Sequence, residues 1–189
     1  MAAHCPLIST EQDSVLVLMD IQERLTAAMS NGVRERLIKQ VSILLAASET
    51  LSLPVIVTEQ YPKGLGSTEL ALKSQLSESV PIIEKTSFSA AKVDGFLAAI
   101  AQTKCTQIIL TGMETHICIL QSALDLQQQG YQVFVVEDAV SSRTTSHQDN
   151  ALQRLRQAGV IVSNVESIIF EWLGDAKHPA FKSLSKLIV

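Results

Sequence analysis

Six short runs of apolar, β-branched-rich residues recur along the chain: VLVLMD ending at Asp20, VIVTEQ (55–60), PIIEKTS (81–87), QIILTG (107–112), VFVVED (133–138) and VIVSN (160–164). They are apolar throughout rather than alternating, the pattern of strands buried on both faces. Between them the spacing turns helical. Val33, Leu37, Val41, Leu44, Leu45 and Ser48 share one helical face, as do Val93, Phe96, Leu97 and Ile100. Leu120 and Leu124 repeat the pattern, and Leu152 and Leu155 do so ahead of the helix-stopping Gly159. Strands alternating with helices require right-handed crossovers and a parallel sheet covered on both sides. The expected fold class is therefore α/β, a three-layer α/β/α arrangement with a six-stranded parallel sheet in the order 3-2-1-4-5-6. With 189 residues and 47% hydrophobic content, residues 1–189 fit one domain with a sizeable core. The closing stretches ESIIFEWLGD and HPAFKSLSKLIV read as one or two helices, with Pro179 near a helix start.

Charge narrows the partners. A formal net charge of -4, with one Trp, two Tyr and five Phe, lacks both the basic footprint and the stacking surface of a nucleic-acid binder. The opening MAAHCPLIST has no basic flank followed by a long apolar stretch, and no later segment approaches ~18 consecutive apolar residues. A cytoplasmic location without membrane contact is the expectation. Cys5, Cys105 and Cys118 are widely separated and form no CxxC or Cys/His metal spacing, which argues against a disulfide framework or a zinc knuckle.

The carboxyl ends of the six runs carry Asp20, Glu59, Lys85, Glu114 just beyond the fourth, Asp138 and Asn164. In the order 3-2-1-4-5-6 a crevice opens between strands one and four, which deliver Asp20 and Cys118 to one rim. Cys118 falls a few residues past strand four, with Thr115 as a plausible N-cap, so its sulfur would sit in the first helical turn where exposed amides favour thiolate. A small buried apolar side chain is the competing account. Asp20, preceded by an apolar run, is a candidate base across the crevice or else a loop cap. Lys85 lies two strand positions away at ~4.8 Å per step, so its loop must fold inward for it to reach Asp20.

Other polar residues carry less. His116 is two residues from Cys118 and points to a different helical side, so a local dyad is not expected; His147 reads as opening a helix near the rim. Gly64 and Gly66 in KGLGSTEL lack the rest of a dinucleotide fingerprint and read as turn residues. Ser141, Ser142 and Arg143 follow strand five, with Arg143 pairing to Asp138 or Glu137 the plainest account.

The segments VLVLMDIQE, TEQYPKGLG, EKTSFSA, LTGMETHIC and VVEDAVSSRT occur in the order and spacing of the isochorismatase-like cysteine hydrolases, and the chain resembles that superfamily over nearly its whole length. TEQYPKGLG and GMETHIC are most similar to its metal-free, isochorismatase domain-containing subgroup. The resemblance implies a catalytic triad of Asp20, Lys85 and Cys118 that cleaves a C-N bond of a small amide-like metabolite through a thioester. It implies a cis Met113-Glu114 peptide ahead of the nucleophile's helix, with backbone N-H groups near Glu114 and Cys118 facing the oxyanion. It further implies a small-molecule substrate and a homo-oligomer. Gln22, Tyr61, Phe88, Glu114, His116 and Ile117 are candidates for substrate contact near the rim. Nicotinamidases of the superfamily hold a divalent metal through Asp-x-His and further histidines after strand two, whereas no histidine occurs here between His4 and His116. Neither a metal nor another cofactor is expected. Vinyl-ether hydrolysis of the isochorismatase type, for which Cys118 is dispensable, and a scaffold role with little turnover are the alternatives.

Overall fold

The computed structural model describes residues 7–188; His4, Cys5 and the reading of the extreme amino terminus lie outside them. Six strands form one sheet: β1 (Ser14–Met19), β2 (Val55–Gln60), β3 (Ile82–Lys85), β4 (Gln107–Met113), β5 (Gln132–Ser141) and β6 (Ile161–Ser163). All pairings are parallel and the order is β3-β2-β1-β4-β5-β6, as the alternation of runs predicts. The helices are α1 (Glu23–Ala27), α2 (Asn31–Leu51), α3 (Pro62–Leu65), α4 (Leu70–Lys73), α5 (Asp94–Thr103), α6 (Leu120–Gln128), α7 (Thr145–Gln157), α8 (Val165–Leu173) and α9 (Phe181–Ile188). Among the described residues no helix is long and apolar enough to cross a membrane.

Every residue of β1 is buried, and its alternate side chains feed two cores. Leu16 and Leu18 join Phe134 and Val136 beneath Leu37, Val41, Leu44 and Leu45 of α2 and Ile168, Ile169 and Trp172 of α8. Val15, Val17 and Met19 meet Phe96 and Ile100 of α5, Ala123 and Leu126 of α6, and Leu152 and Leu155 of α7. This is why the runs do not alternate: both faces of the central strands bury side chains, each worth roughly 1.5–3 kcal/mol. The predicted faces of α2 and α5 are the ones that pack, and buried Ser48 sits on the first of them.

Two boundaries differ from the sequence reading. The PIIEKTS run yields only the four residues of β3, an edge strand whose Ile82 and Glu84 are exposed. β5 instead runs past Asp138 to Ser141, because its register with β4 shifts between Leu110 and Gly112 and then pairs Gly112 with Val140 and Met113 with Ser141. Asp138 consequently lies within the strand rather than at its end, where its Oδ1 accepts the Val165 amide that opens α8 at 3.0 Å. Burial, the largest influence, raises its carboxyl above the ordinary range.

At the point of that shift the backbone of β4 turns so that nothing larger than hydrogen fits between it and β1. Gly112 has φ +111°, and a Cβ placed on it would stand 2.0 Å from the Met19 carbonyl oxygen. Only glycine satisfies both conditions.

Candidate active site

β1 ends at Met19, and the next residue, Asp20, adopts φ +53°, a left-handed conformation that is uncommon outside glycine and that turns the chain out of the sheet. Its amide donates to the Thr58 carbonyl of β2 at 3.1 Å, and its carboxylate is wholly buried at the rim. Lys85, the last residue of β3, donates from Nζ to Asp20 Oδ2 at 2.7 Å. Neither side chain is exposed to solvent. The loop does not need to fold inward as the sequence suggests: Lys85 is opposite Gln60 in the β2 register, and its own side chain crosses that strand.

Cys118 lies in a π-helical turn, Thr115–Ile119, between β4 and α6. Thr115 is the first residue of the turn and not its N-cap; Glu114 occupies the cap position without a side-chain hydrogen bond, and the buried Thr115 Oγ1 has no hydrogen-bond partner among the described residues. The Met113-Glu114 peptide is cis. The Glu114 carbonyl accepts the amides of Ile117 at 3.0 Å and Ile119 at 3.3 Å, with the Cys118 amide between them in the turn.

Lys85 Nζ stands 3.7 Å from Cys118 Sγ, so three residues separated by 65 and 33 positions meet at one buried point. The expectation of a helix-stabilised thiolate does not hold. Burial first, and then the charge of Asp20, push the Cys118 thiol up to about 12 against the opposing pull of Lys85. These influences favour the thiol over the thiolate at neutral pH.

Two polar residues of β2 complete the cluster and escaped the sequence reading. Thr58 Oγ1 donates to Asp20 Oδ1 at 2.7 Å, and Gln60 Oε1 accepts from Lys85 Nζ at 2.7 Å. Their signal was present in VIVTEQ, since residues two apart on a strand share a side and strand two neighbours strand one. Glu59 between them is turned away, its Oε1 accepting the Thr68 amide and hydroxyl, each at 2.7 Å.

The remaining candidates divide. Gln22 is fully buried with its side-chain amide engaged by backbone: Oε1 accepts the Gln60 amide at 2.7 Å, and Nε2 donates to the carbonyls of Gln60 at 3.0 Å and Gly66 at 2.6 Å. Tyr61 and Phe88 are half exposed beside Lys85, which accepts the Tyr61 amide at 2.8 Å and donates from Nζ to the Phe88 carbonyl at 3.3 Å. Ile117 packs partly against the core. His116 Nδ1 lies 3.0 Å from Ser142 Oγ, and its ring meets that of His147 with centroids 4.6 Å apart. Burial lowers the His116 pKa, opposed by Glu114 and assisted by His147 and Arg143. His147 is in the first turn of α7, its amide donating to Thr144 Oγ1 at 3.4 Å.

Arg143 does not pair with Glu137 or Asp138. Its Nε binds Glu114 Oε1 at 2.9 Å, because the extension of β5 carries it beside the Thr115–Ile119 turn, while Glu137 pairs with Arg156. Among the described residues no group of three His, Cys, Asp or Glu side chains is placed to hold a metal ion. A 650 Å³ hollow lined by Tyr61, Lys63, Thr86 and Lys92 adjoins the edge strand, and a 480 Å³ groove lies at the opposite, amino-terminal edge of β2 and β3, lined by Leu45, Leu53, Val80 and Pro81.

Known proteins share this framework. The chain is 40% identical over 183 residues to the secreted isochorismatase effector Isc1 of Phytophthora sojae, covering 93% of this chain and 84% of that one. It is 39% identical over 181 residues to isochorismatase domain-containing protein 2 of Xenopus laevis, covering 95% and 85%. A structure described as the MAR1 ribonuclease from Caenorhabditis elegans superposes with a TM-score of 0.89 at 38% identity, covering 96% of this chain and 92% of that one. The isochorismatase domain model matches residues 14–167, from the first residue of β1 into α8. That span takes in the whole sheet and every residue at its carboxyl rim, and the chain belongs to the isochorismatase family of hydrolases.

Proposed function

We propose that this hydrolase cleaves the C-N bond of a small amide-like metabolite, with Cys118 as nucleophile, Asp20 as acid and base, and Lys85 as the cation that holds them. The observation that carries this reading is the convergence of the three side chains from β1, β3 and the turn after β4, with Lys85 Nζ 2.7 Å from Asp20 and 3.7 Å from the sulfur.

Because the thiol is protonated at rest, attack and proton transfer are coupled. Asp20 takes the thiol proton as Sγ bonds to the carbonyl carbon, and Lys85 offsets the negative charge on sulfur. The carbonyl oxygen becomes an oxyanion, for which the Cys118 amide is the proposed donor, a contact worth about 3 kcal/mol per donor in comparable sites. Collapse expels the amine, which leaves with the proton held by Asp20, and a thioester remains. Asp20 then draws a proton from water as its oxygen attacks the thioester. The acid departs and the proton returns to sulfur.

A panel of small amides assayed with the wild type and Cys118→Ala tests this reading. The substitution is expected to lower turnover by roughly 10⁴-fold or more, and mass spectrometry of the wild type should find an acyl group on Cys118. Amide turnover that survives Cys118→Ala would reject the covalent route, and hydrolysis of a vinyl ether added to the panel that survives it would favour the chemistry in which Asp20 acts without the cysteine. Absence of turnover on every substrate would favour a scaffold. Single-stranded RNA belongs in the same panel because of the nematode relative's description, although the net charge of -4 disfavours it. Assembly with copies of itself, which the resemblance to the superfamily implies, belongs to the same proposal; Tyr61, Leu70 and Phe88 are exposed apolar side chains on the segments that follow β2 and β3.

A further inference from the structure

We propose that Thr58 and Gln60 of β2 are positioning residues: Thr58 fixes the rotation of the Asp20 carboxylate and Gln60 fixes the Lys85 ammonium, so that both meet Cys118 in one arrangement. The inference rests on the reading of Cys118 as nucleophile and adds the element that aligns its partners.

The geometry is specific. Asp20 has two carboxylate oxygens, and each is taken by a different donor: Thr58 Oγ1 at Oδ1 and Lys85 Nζ at Oδ2, both at 2.7 Å. A carboxylate held at both oxygens cannot rotate without breaking one of the bonds. Lys85 has three N-H groups and five acceptors within reach. Asp20 Oδ2 and Gln60 Oε1 are the short ones at 2.7 Å, while the Ser87 and Phe88 carbonyls lie at 3.3 Å and Cys118 Sγ at 3.7 Å. Two protons are thereby fixed, and the third is left to the carbonyls and the sulfur.

Gln60 is itself oriented. Its Nε2 donates to the Thr86 carbonyl at 2.7 Å, which forces Oε1 toward Lys85. Its backbone is gripped at both ends by the Gln22 side chain, with the amide at 2.7 Å and the carbonyl at 3.0 Å. A chain of contacts therefore runs from Gln22 through Gln60 and Lys85 to the sulfur. The charged or titratable groups facing Asp20 are Lys85 from β3 and Cys118 from the turn after β4; from β2 the facing groups are the uncharged Thr58 and Gln60, with Glu59 directed to Thr68.

If Thr58 acts through Asp20, removing its hydroxyl leaves the carboxylate charge less dispersed and the thiol harder to ionise. The test is the rate of alkylation of Cys118 by iodoacetamide between pH 8 and 10, read on the Cys118 peptide by mass spectrometry, in folded wild type, Thr58→Val and Thr58→Ser. Thr58→Val should move the profile up by about one pH unit, a roughly tenfold slower rate at fixed pH; Thr58→Ser, which keeps the donor, should follow the wild type. Buried Cys105 in the same digest reports loosening. A merely structural role would speed both cysteines, the opposite sign. Gln60→Met, which removes the acceptor but not the bulk, should also slow Cys118, and it carries the test if Thr58→Val does not fold. Profiles for both variants within twofold of wild type overturn the inference. Amide turnover that survives Cys118→Ala would instead sink the parent reading while leaving the Thr58 shift intact, so the two failures are distinguishable.

Discussion

Cys118 is a nucleophile candidate whose surroundings favour the protonated thiol, and Asp20 is part of the reason. Burial is the largest cause of the raised thiol pKa and the Asp20 charge the next. Replacing Asp20 by Asn removes that charge at nearly constant shape. The free thiol should then ionise more readily, and alkylation of Cys118 at pH 9 should rise several-fold even as amide turnover falls; a slower alkylation would contradict the electrostatic account. At this scale the sequence carried Asp20, Lys85 and Cys118 because each is a chemically capable residue closing or following an apolar run. It did not carry Thr58 and Gln60, whose only claim is what they touch, nor the contacts of Gln22, and it misjudged the partner of Arg143. Gln22, a candidate for substrate contact from its place near the rim, has its side-chain amide bonded to the backbone of Gln60 and Gly66. Arg143 was matched to nearby acids, whereas its partner Glu114 is 29 residues away across a register shift that no local pattern encodes.

Among the elements, β1 bears the most on the site. It pairs with β2 on one side and β4 on the other, and all six of its residues are buried. Leu18→Ala, one residue before Met19, should destabilise the fold by about 2–5 kcal/mol by opening a cavity against α2. Ile82→Ala on the exposed edge strand should cost well under half as much, and urea midpoints at equal m-value compare them. The order of strands was legible because crossover rules leave few topologies for six alternating units. The length of β5 was not, since VFVVED is followed by AVSS, whose strand character depends on Gly112 and Met113 lying alongside. The turn type at Thr115–Ile119 was equally hidden. A threonine before an amphipathic segment is an ordinary capping signal, and here tertiary packing buries it as the first residue of a π-turn.

For the molecule as a whole, the raised thiol links folding to alkaline pH. A cysteine pushed up to about 12 when folded and near the ordinary thiol value of 9.0 when unfolded binds more protons in the native state between those values. Native stability therefore falls as pH rises through that window, and this contribution is fully present only below pH 9. The difference in denaturant midpoint between wild type and Cys118→Ala, followed from pH 8 upward, isolates it: the wild type should lose stability relative to the variant. A constant difference would mean that the thiol is not buried beside Asp20 as described. The close contact of Gly112 with Met19 has a consequence of another kind. The two strands that lead to Asp20 and to the Cys118 turn lie backbone against backbone one residue short of the rim, with no room between them for a single methyl group. A substitution that gives position 112 any side chain must therefore push these two strands apart, and with them Asp20 and the Cys118 turn, although it touches neither residue.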